Sequence, residues 1–405
     1  MKILRPTYAE INLKNLVYNI NILKKFICNN INPVNKLHHL NSLNNDGTKP
    51  IFTHQSLPST NSTSFSNGIN ILAVIKADAY GHGAIMIARA MESTPVKIFG
   101  VATIEEGIAL REAGIKKNIL ILGSTFPFTN FKEIIKYNLI PTIASFSGLK
   151  TLNKYAVKAN KIIPFHLKID TGMGRIGLNP NTVISTLYKC SNFTNIFMEG
   201  IYSHIACANE NRSFTEKQIS VFQNISNTIR VNYAHISAST SILKYQNSHF
   251  NLIRPGLLIY GLLPFSDSDK ILPTKPVLAL KSKIIFLKTL PKNTSISYCR
   301  TFITKKRSKI ATIPIGYADG FSRYNSNNSE VIIKGEKVPV VGRVCMDMTM
   351  IDVTNIKNVS VGDDVIIIGS QGKESITAED IAKRGETINY EVVTSISKRI
   401  HRLYI

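Results

Sequence analysis

The sequence predicts an α/β protein, an N-terminal (β/α)8 TIM-type barrel followed by a C-terminal mostly-β domain. Three observations predict it. Eight short, nearly unbroken apolar runs recur between residues 71 and 256. Helix-like segments lie between them, and strands alternating with helices build βαβ units on a parallel sheet buried on both faces. From about residue 270 the rhythm changes to short strands broken by Gly, Pro and Asn, with little helix.

The eight runs are ILAVIK (71–76), IFGVAT (98–103), NILILG (118–123), PTIAS (141–145), PFHLKID (164–170), FMEGIYSH (197–204), YAHIS (233–237) and LIRPG (252–256). GAIMIARAMES, IEEGIALREAG, NFKEIIKYN, NTVISTLYKCS and FTEKQISVFQNISNTIR read as intervening helices. An open doubly wound sheet is the alternative; the count of eight strands points to the barrel instead. In the last third, ALKSKIIFLKTL, KIATIPIGY, EVIIKGEKVPVVGRV, MIDVTNI and DDVIIIG read as strands. One late helix, TAEDIAKRG, is expected to be capped by Thr377 with Asp380 three residues on. Residues 29–68, rich in Asn, Ser, Thr and Pro, read as a low-complexity insertion. His38 and His39 within it lack metal-ligand spacing, and no metal site is expected.

Composition bounds the function. A chain of 405 residues with 44% hydrophobic content suits two globular domains. No apolar run reaches the ~18 residues of a membrane span, and MKILRPTYAEINLKNL lacks the apolar core of a secretory signal. Five scattered cysteines with no CxxC pair fit reduced thiols, so a cytoplasmic location is expected. The net charge of +23 invites a nucleic-acid reading. No run of five basic residues and no aromatic–basic interleaving supports it, so the charge reads as compositional, favouring anionic ligands by steering.

Barrel chemistry sits at the C-terminal ends of the strands. There the sequence collects Lys76, with Tyr80 following; Arg175 in the loop DTGMGRIG; His204; Ser239 in SASTS; and Arg254-Pro255-Gly256. Singly, an arginine is usually a surface charge and a histidine a packed one. Together they suit one cofactor. Such barrels hold phosphate after strands 7 and 8, where Ser239 supplies a hydroxyl and Gly256 admits backbone N–H groups. A lysine whose pKa is lowered by burial and cationic neighbours can form a Schiff base. A phosphate anchor plus a Schiff-base lysine describes pyridoxal 5′-phosphate. In the β domain, PIGYADG places Tyr317 in a turn, and VVGRVCMDM carries Arg343, Cys345, Met346 and Asp347. Alone, that tyrosine and methionine read as structural, and Cys345 as an inert thiol.

The blocks RPTYAEINL, AVIKADAYGHG, KIDTGMGRIG, IRPGLLIYGL, PIGYADG, VVGRVCMDM and INYEVVTSISKR resemble, in order, those of bacterial alanine racemases. The resemblance runs from residue 5 to about 399 and leaves out only the insertion. It implies residues 11–268 as a pyridoxal-phosphate barrel, 269–405 as the β domain, and 1–10 as a strand packing with the β domain. It also implies a homodimer whose active sites are shared between subunits, acting on alanine to supply D-alanine for peptidoglycan. Lys76 is then the Schiff-base lysine and one of two acid/base groups, and Tyr317 the other. Tyr80, Ser239, Gly256 and Leu257 are phosphate ligands, Arg254 faces the pyridine nitrogen, and His204 packs on the ring. Arg175 and Met346 bind substrate, and Lys168 matches a lysine that some members carbamylate.

Elementary chemistry is consistent with these roles. Racemisation removes a proton from one face of Cα and returns one to the other, which two opposed groups do most directly. An arginine stays charged, so it disfavours a proton on a facing pyridine nitrogen. Three departures from the family pattern stand out: Ala238 where Asn often precedes the phosphate serine, Asn209 where an entryway often has Asp, and Lys398 where several members have a tyrosine. The alternatives are a racemase of another small amino acid such as serine, a non-catalytic pyridoxal-phosphate barrel, and a decarboxylase of the same architecture. PIGYADG argues against the last two.

Overall fold

The computed structural model describes residues 4–29 and 68–405. The insertion, apart from its two ends, and its His38 and His39 lie outside the described residues. β1 (Tyr8–Ile11) and helix α1 (Leu13–Asn29) precede the barrel. Leu16, Ile20, Leu23 and Ile27 of α1 are fully buried, a three-to-four-residue spacing that packs one helical stripe against the core.

Eight parallel strands follow: β2 (Asn70–Val74), β3 (Val96–Val101), β4 (Asn118–Ser124), β5 (Ile140–Ile143), β6 (Ile163–Lys168), β7 (Ile196–Tyr202), β8 (Tyr233–His235) and β9 (Leu252–Ile253). Each of the eight expected runs overlaps one of them. Their order is β8-β7-β6-β5-β4-β3-β2-β9. A parallel bridge between Ala238 and Arg254 joins the ends of β8 and β9 and all but closes the barrel. Helices α2 (Ala84–Ala90), α3 (Ile104–Glu112), α4 (Phe131–Lys136), α5 (Phe146–Lys158), α6 (Val183–Tyr188), α7 (Arg212–Thr228) and α8 (Ser239–Lys244) occupy the connections.

Two local differences from the sequence reading bear on the site. The segment 71–76 reads as a strand ending on lysine, but pairing stops at Val74. The Ile75 N–H still donates to the Gly100 carbonyl (2.8 Å) and Ile75 is buried, so apolarity outlasts the ladder. Lys76 then opens a left-handed turn, in which Ala77, Asp78 and Ala79 have φ of 51° to 54° and ψ of 46° to 52°, and Tyr80 has φ of 54°. Such geometry costs an L-residue roughly 1–2 kcal/mol, so the surroundings must hold it. Gly81, at φ 79°, ends the turn where a Cβ would lie 2.2 Å from the Val393 carbonyl oxygen. The second difference is SASTS, which is not among the expected helices but whose Ser239 is the first residue of α8.

The remaining strands are β10 (Leu278–Lys283), β11 (Phe286–Leu290), β12 (Ser295–Ile296), β13 (Phe302–Ile303), β14 (Ser308–Ile313), β15 (Glu330–Ile333), β16 (Glu336–Pro339), β17 (Thr349–Asp352), β18 (Asp364–Gln371), β19 (Glu374–Ile376) and β20 (His401–Tyr404). Outside the barrel, the largest sheet runs β16-β15-β18-β10-β1-β20, with β19 beside β18. β1 therefore sits between β10 and β20, antiparallel to the first and parallel to the second. Helix α9 (Ala378–Arg384) begins with a capping box in which the Thr377 hydroxyl accepts from the Asp380 N–H, and α10 (Asn389–Thr394) follows it.

Candidate active site

Lys76, Lys168, Arg175, His204 and Arg254 converge on the C-terminal rim of the barrel. Burial and the neighbouring Arg175 guanidinium lower the Lys76 amine from its usual range, against a smaller opposing pull from Glu106. Lys168 is 4% exposed and lies 4.0 Å from the Tyr202 ring centre. Burial, then Arg254 and Arg175, hold its ammonium well below the usual range. The same burial, with Arg254, Lys168, Arg175 and Lys76 around it, keeps the His204 imidazole neutral. Five basic side chains on one rim, two of them arginines, suit a ligand that carries anionic oxygens.

Arg254 is 4% exposed and tightly bound. Its Nη2 donates to the carbonyls of Ser203 (2.8 Å) and Ile236 (3.0 Å) and lies 3.4 Å from His204 Nδ1. Nη1 donates to His235 Nδ1 at 2.8 Å. A guanidinium only donates, so His235 must accept there and carry its proton on Nε2. That nitrogen then donates to His166 Nδ1 at 2.8 Å. Tyr202 closes the layer. Its ring stacks on His235 (4.8 Å between centres), and its hydroxyl pairs with Thr142 at 2.7 Å and donates to the Leu122 carbonyl at 3.1 Å. His166, Tyr202 and His235 escape a motif-based reading because each stands inside an apolar strand, and only alternation toward the barrel interior marks them.

A second cluster forms where β9 leaves the barrel. The Ser239 hydroxyl accepts from the N–H of Gly256 (3.1 Å) and of Leu258 (3.4 Å). Leu257 opens a short 3-10 turn, Leu257–Tyr260, which brings the Leu258 N–H round to the same hydroxyl. A Cβ on Gly256 would lie 2.6 Å from the Tyr80 hydroxyl oxygen, so only glycine lets Tyr80 approach this backbone. Burial raises the Tyr80 phenol above its ordinary value. Hydroxyls and N–H groups converging on one bare backbone position suit a phosphate. His82 is fully buried, with Nδ1 2.9 Å from the Tyr80 carbonyl oxygen and its ring 4.5 Å from that of Tyr260, a structural role.

Arg175 is held through Asp170. Burial pushes the Asp170 carboxyl up, but N–H groups of Gly172, Gly174, Met173 and Arg175 more than reverse this and leave it below its ordinary value. Three of those bonds measure 3.0, 3.1 and 2.8 Å, from Gly172, Gly174 and Met173.

No hydrogen bond among the described residues ties Tyr317 or Met346 to this rim. Both lie in the C-terminal domain, 41% and 52% exposed, and the Tyr317 hydroxyl has no hydrogen-bond partner among the described residues. Their backbones are joined, because the Tyr317 N–H donates to the Cys345 carbonyl and the Ala318 N–H to the Met346 carbonyl, both at 3.0 Å. Beneath the turn lies Asp319, 1% exposed, whose two oxygens each receive an Arg5 nitrogen at 2.6 Å. Asp319 Oδ2 also accepts from the Gly316 N–H at 3.0 Å. Neither Arg5 nor Asp319 is singled out by sequence, since their partnership spans the chain. Of the departures, Asn209 Oδ1 accepts from Lys244 Nζ at 2.6 Å, the Ala238 N–H donates to the Ser241 hydroxyl at 2.9 Å, and Lys398 is exposed. The five cysteines stand unpaired.

Two family models match the chain: "Alanine racemase, N-terminal domain" over residues 60–264 and "Alanine racemase, C-terminal domain" over residues 277–404. A protein of Halothermothrix orenii named alanine racemase is 39% identical over 409 residues, covering 100% of this chain and 98% of its own. Alanine racemase 1 of Caldanaerobacter subterraneus subsp. tengcongensis is 41% identical over 343 residues, 83% of this chain and 88% of its own. Among solved structures, alanine racemase of Clostridium difficile 630 matches with TM-score 0.85 at 36% identity, covering 100% and 97% of the two chains. That of Bartonella henselae, with covalently bound pyridoxal phosphate, matches with TM-score 0.81 at 26% identity over 99% of each.

Proposed function

The chain belongs to the alanine racemase family, and from that premise we propose that it interconverts L- and D-alanine with pyridoxal 5′-phosphate as its cofactor. The observation that carries the reading is the single rim on which a lysine of lowered pKa meets Arg175, Arg254 and the cluster of hydroxyls and N–H groups at Ser239, Tyr80 and Gly256. The residues present fit the cofactor. Lys76 would be joined to it, while Tyr80, Ser239 and the N–H groups of Gly256 and Leu257 would hold its phosphate. Arg254 would face the pyridine nitrogen, and His204, kept neutral, would pack on the ring.

When bound, pyridoxal phosphate supplies the electron sink that makes an amino acid's Cα proton removable. Arg175 anchors the substrate carboxylate. Lys76 Nζ takes or returns the proton on one face of Cα, helped by the burial and the arginine that favour its neutral form. The partner subunit's Tyr317 does the same on the other face. Arg254 is positioned by its four acceptors and brings only donors to the pyridine nitrogen, so it discourages protonation there. In the same reading, residues 11–268 form the cofactor barrel and 269–405, with 1–10, the second domain. The exposed Tyr317 and Met346 turn toward the barrel rim of a second copy in a homodimer. The enzyme is cytoplasmic and supplies D-alanine for peptidoglycan; no helix among the described residues is long and apolar enough to cross a membrane.

The test is a visible spectrum of the purified protein followed by racemisation assays on L-alanine and L-serine. Lysine-bound cofactor absorbs near ~420 nm. The band should vanish in Lys76→Ala, and alanine should be the better substrate. A band that survives Lys76→Ala would overturn the assignment.

A further inference from the structure

Lys76 stands at the head of a backbone stretch that L-residues avoid, and something must hold it there. Two charged groups hold its far end. Asp78 Oδ1 accepts from the Ala84 N–H at 2.8 Å, and Arg402 Nε donates to the Gly81 carbonyl at 3.1 Å. The near end is held from another element. The Ala77 N–H, on the peptide directly after the lysine, donates to Glu106 Oε1 at 2.6 Å. The other oxygen of the same carboxylate accepts from the N–H groups of Ala102 (2.7 Å) and Thr103 (3.3 Å), where the chain leaves β3. Glu106 is itself placed by α3, because its N–H donates to the Thr103 hydroxyl at 3.3 Å in a capping box.

We propose that Glu106 is a positioning residue for Lys76, its carboxylate tying the peptide that follows the lysine to the end of the adjacent strand. The inference rests on Lys76 being the lysine joined to the cofactor. A capping-box glutamate ordinarily reaches only the backbone of its own N-cap. Here one oxygen is spent across the rim on a peptide 29 positions earlier. That bond fixes the first left-handed residue, and so the direction in which the lysine side chain leaves the backbone. Charge adds a second effect. Glu106 opposes Arg175 in setting the Lys76 amine, and the amine in turn bears weakly on the neutral His204 imidazole.

The test uses the full-length enzyme, stripped of cofactor with hydroxylamine and titrated back with pyridoxal phosphate while the visible band is followed across pH. Glu106→Ala should raise the half-saturating concentration at least tenfold and move the pH midpoint of band formation downward, since the carboxylate that favours the ammonium is gone. Glu106→Gln can accept at one end only, so it should fall between alanine and wild type. Thr103→Ala removes the cap but leaves the carboxylate and should titrate like wild type. Wild-type titration by both Glu106 variants would overturn the proposal, as would a Thr103→Ala defect equal to that of Glu106→Ala, which would reduce the glutamate to a helix cap. Should Glu106→Ala not fold, Glu106→Gln and Thr103→Ala decide between these outcomes. A parallel Lys76→Ala titration separates the two levels. If its band is absent and the Glu106 variants behave as wild type, only the present proposal falls. If its band persists, the lysine assignment falls and takes the proposal with it.

Discussion

Replacing Arg5 with alanine should weaken the fold and slow turnover together. The Arg5 guanidinium grips the Asp319 carboxylate through two contacts of 2.6 Å and donates to the Pro314 carbonyl at 2.7 Å. The Asp319 side chain is fully buried, whereas that of Arg5 is 28% exposed. Removing one partner of a buried pair typically costs ~3–5 kcal/mol because the other charge stays buried. Two groups still face this carboxylate, the Gly316 N–H at 3.0 Å and Arg399 Nε at 3.5 Å. The expected loss is therefore about 2–4 kcal/mol, shifted below the usual range by these remaining partners. Arg5→Lys keeps the charge but not the fork, and should recover less than half. The assay is equilibrium urea unfolding at fixed protein concentration, with the midpoint falling and the slope unchanged. Because Asp319 shapes the turn that carries Tyr317, racemisation should also fall well below the melting temperature. A loss under ~1 kcal/mol, or an Arg5→Ala, Asp319→Asn cycle that is additive within ~0.5 kcal/mol, would refute the reasoning.

Acid should destabilise the protein through its buried histidines. Burial pushes His82 from 6.5 down to about 4, so between these values the unfolded chain binds a proton that the folded chain does not. Stability therefore rises with pH across that window, is complete above it and is lost as pH falls, by roughly 2 kcal/mol between pH 7 and 4.5. His82→Gln should show that much less pH dependence in urea unfolding, and an equal dependence would count against the burial argument. Mixing inactive Lys76→Ala and Tyr317→Phe subunits should restore part of the activity if sites are shared, and no recovery after proven subunit exchange would argue against the shared dimer. Ser239→Ala should weaken pyridoxal-phosphate retention about tenfold or more, measured by the visible band after dialysis, because the hydroxyl that gathers the Gly256 and Leu258 N–H groups is lost. Retention equal to wild type would mean the phosphate sits elsewhere.

The eight barrel strands were legible because a strand buried on both faces writes an unbroken apolar run, which nothing else in this chain imitates at that spacing. Lys76, Arg175, His204 and Arg254 were legible for the complementary reason. Charged or titratable residues at the tips of such runs are conspicuous, and the barrel topology sends every tip to one rim. The capping box at Thr377 and Asp380 was equally local, needing only four residues to specify.

What the tertiary structure decided is whatever depends on contacts across long separations. The left-handed turn after Lys76 has no signature in KADAY, since two alanines, an aspartate and a tyrosine do not prefer that backbone. It exists because Glu106 and Arg402, 29 and 321 positions from their partners Ala77 and Gly81, hold it. The same applies to the tautomers of His235 and His166, dictated by an arginine on another strand, and to Arg5 meeting Asp319 across 314 positions. Local composition by itself determined which elements form and which side chains reach the rim. Only the fold decided how each side chain is held and charged once there, because hydrogen-bond direction and desolvation are properties of the assembled surroundings and not of any single stretch of chain.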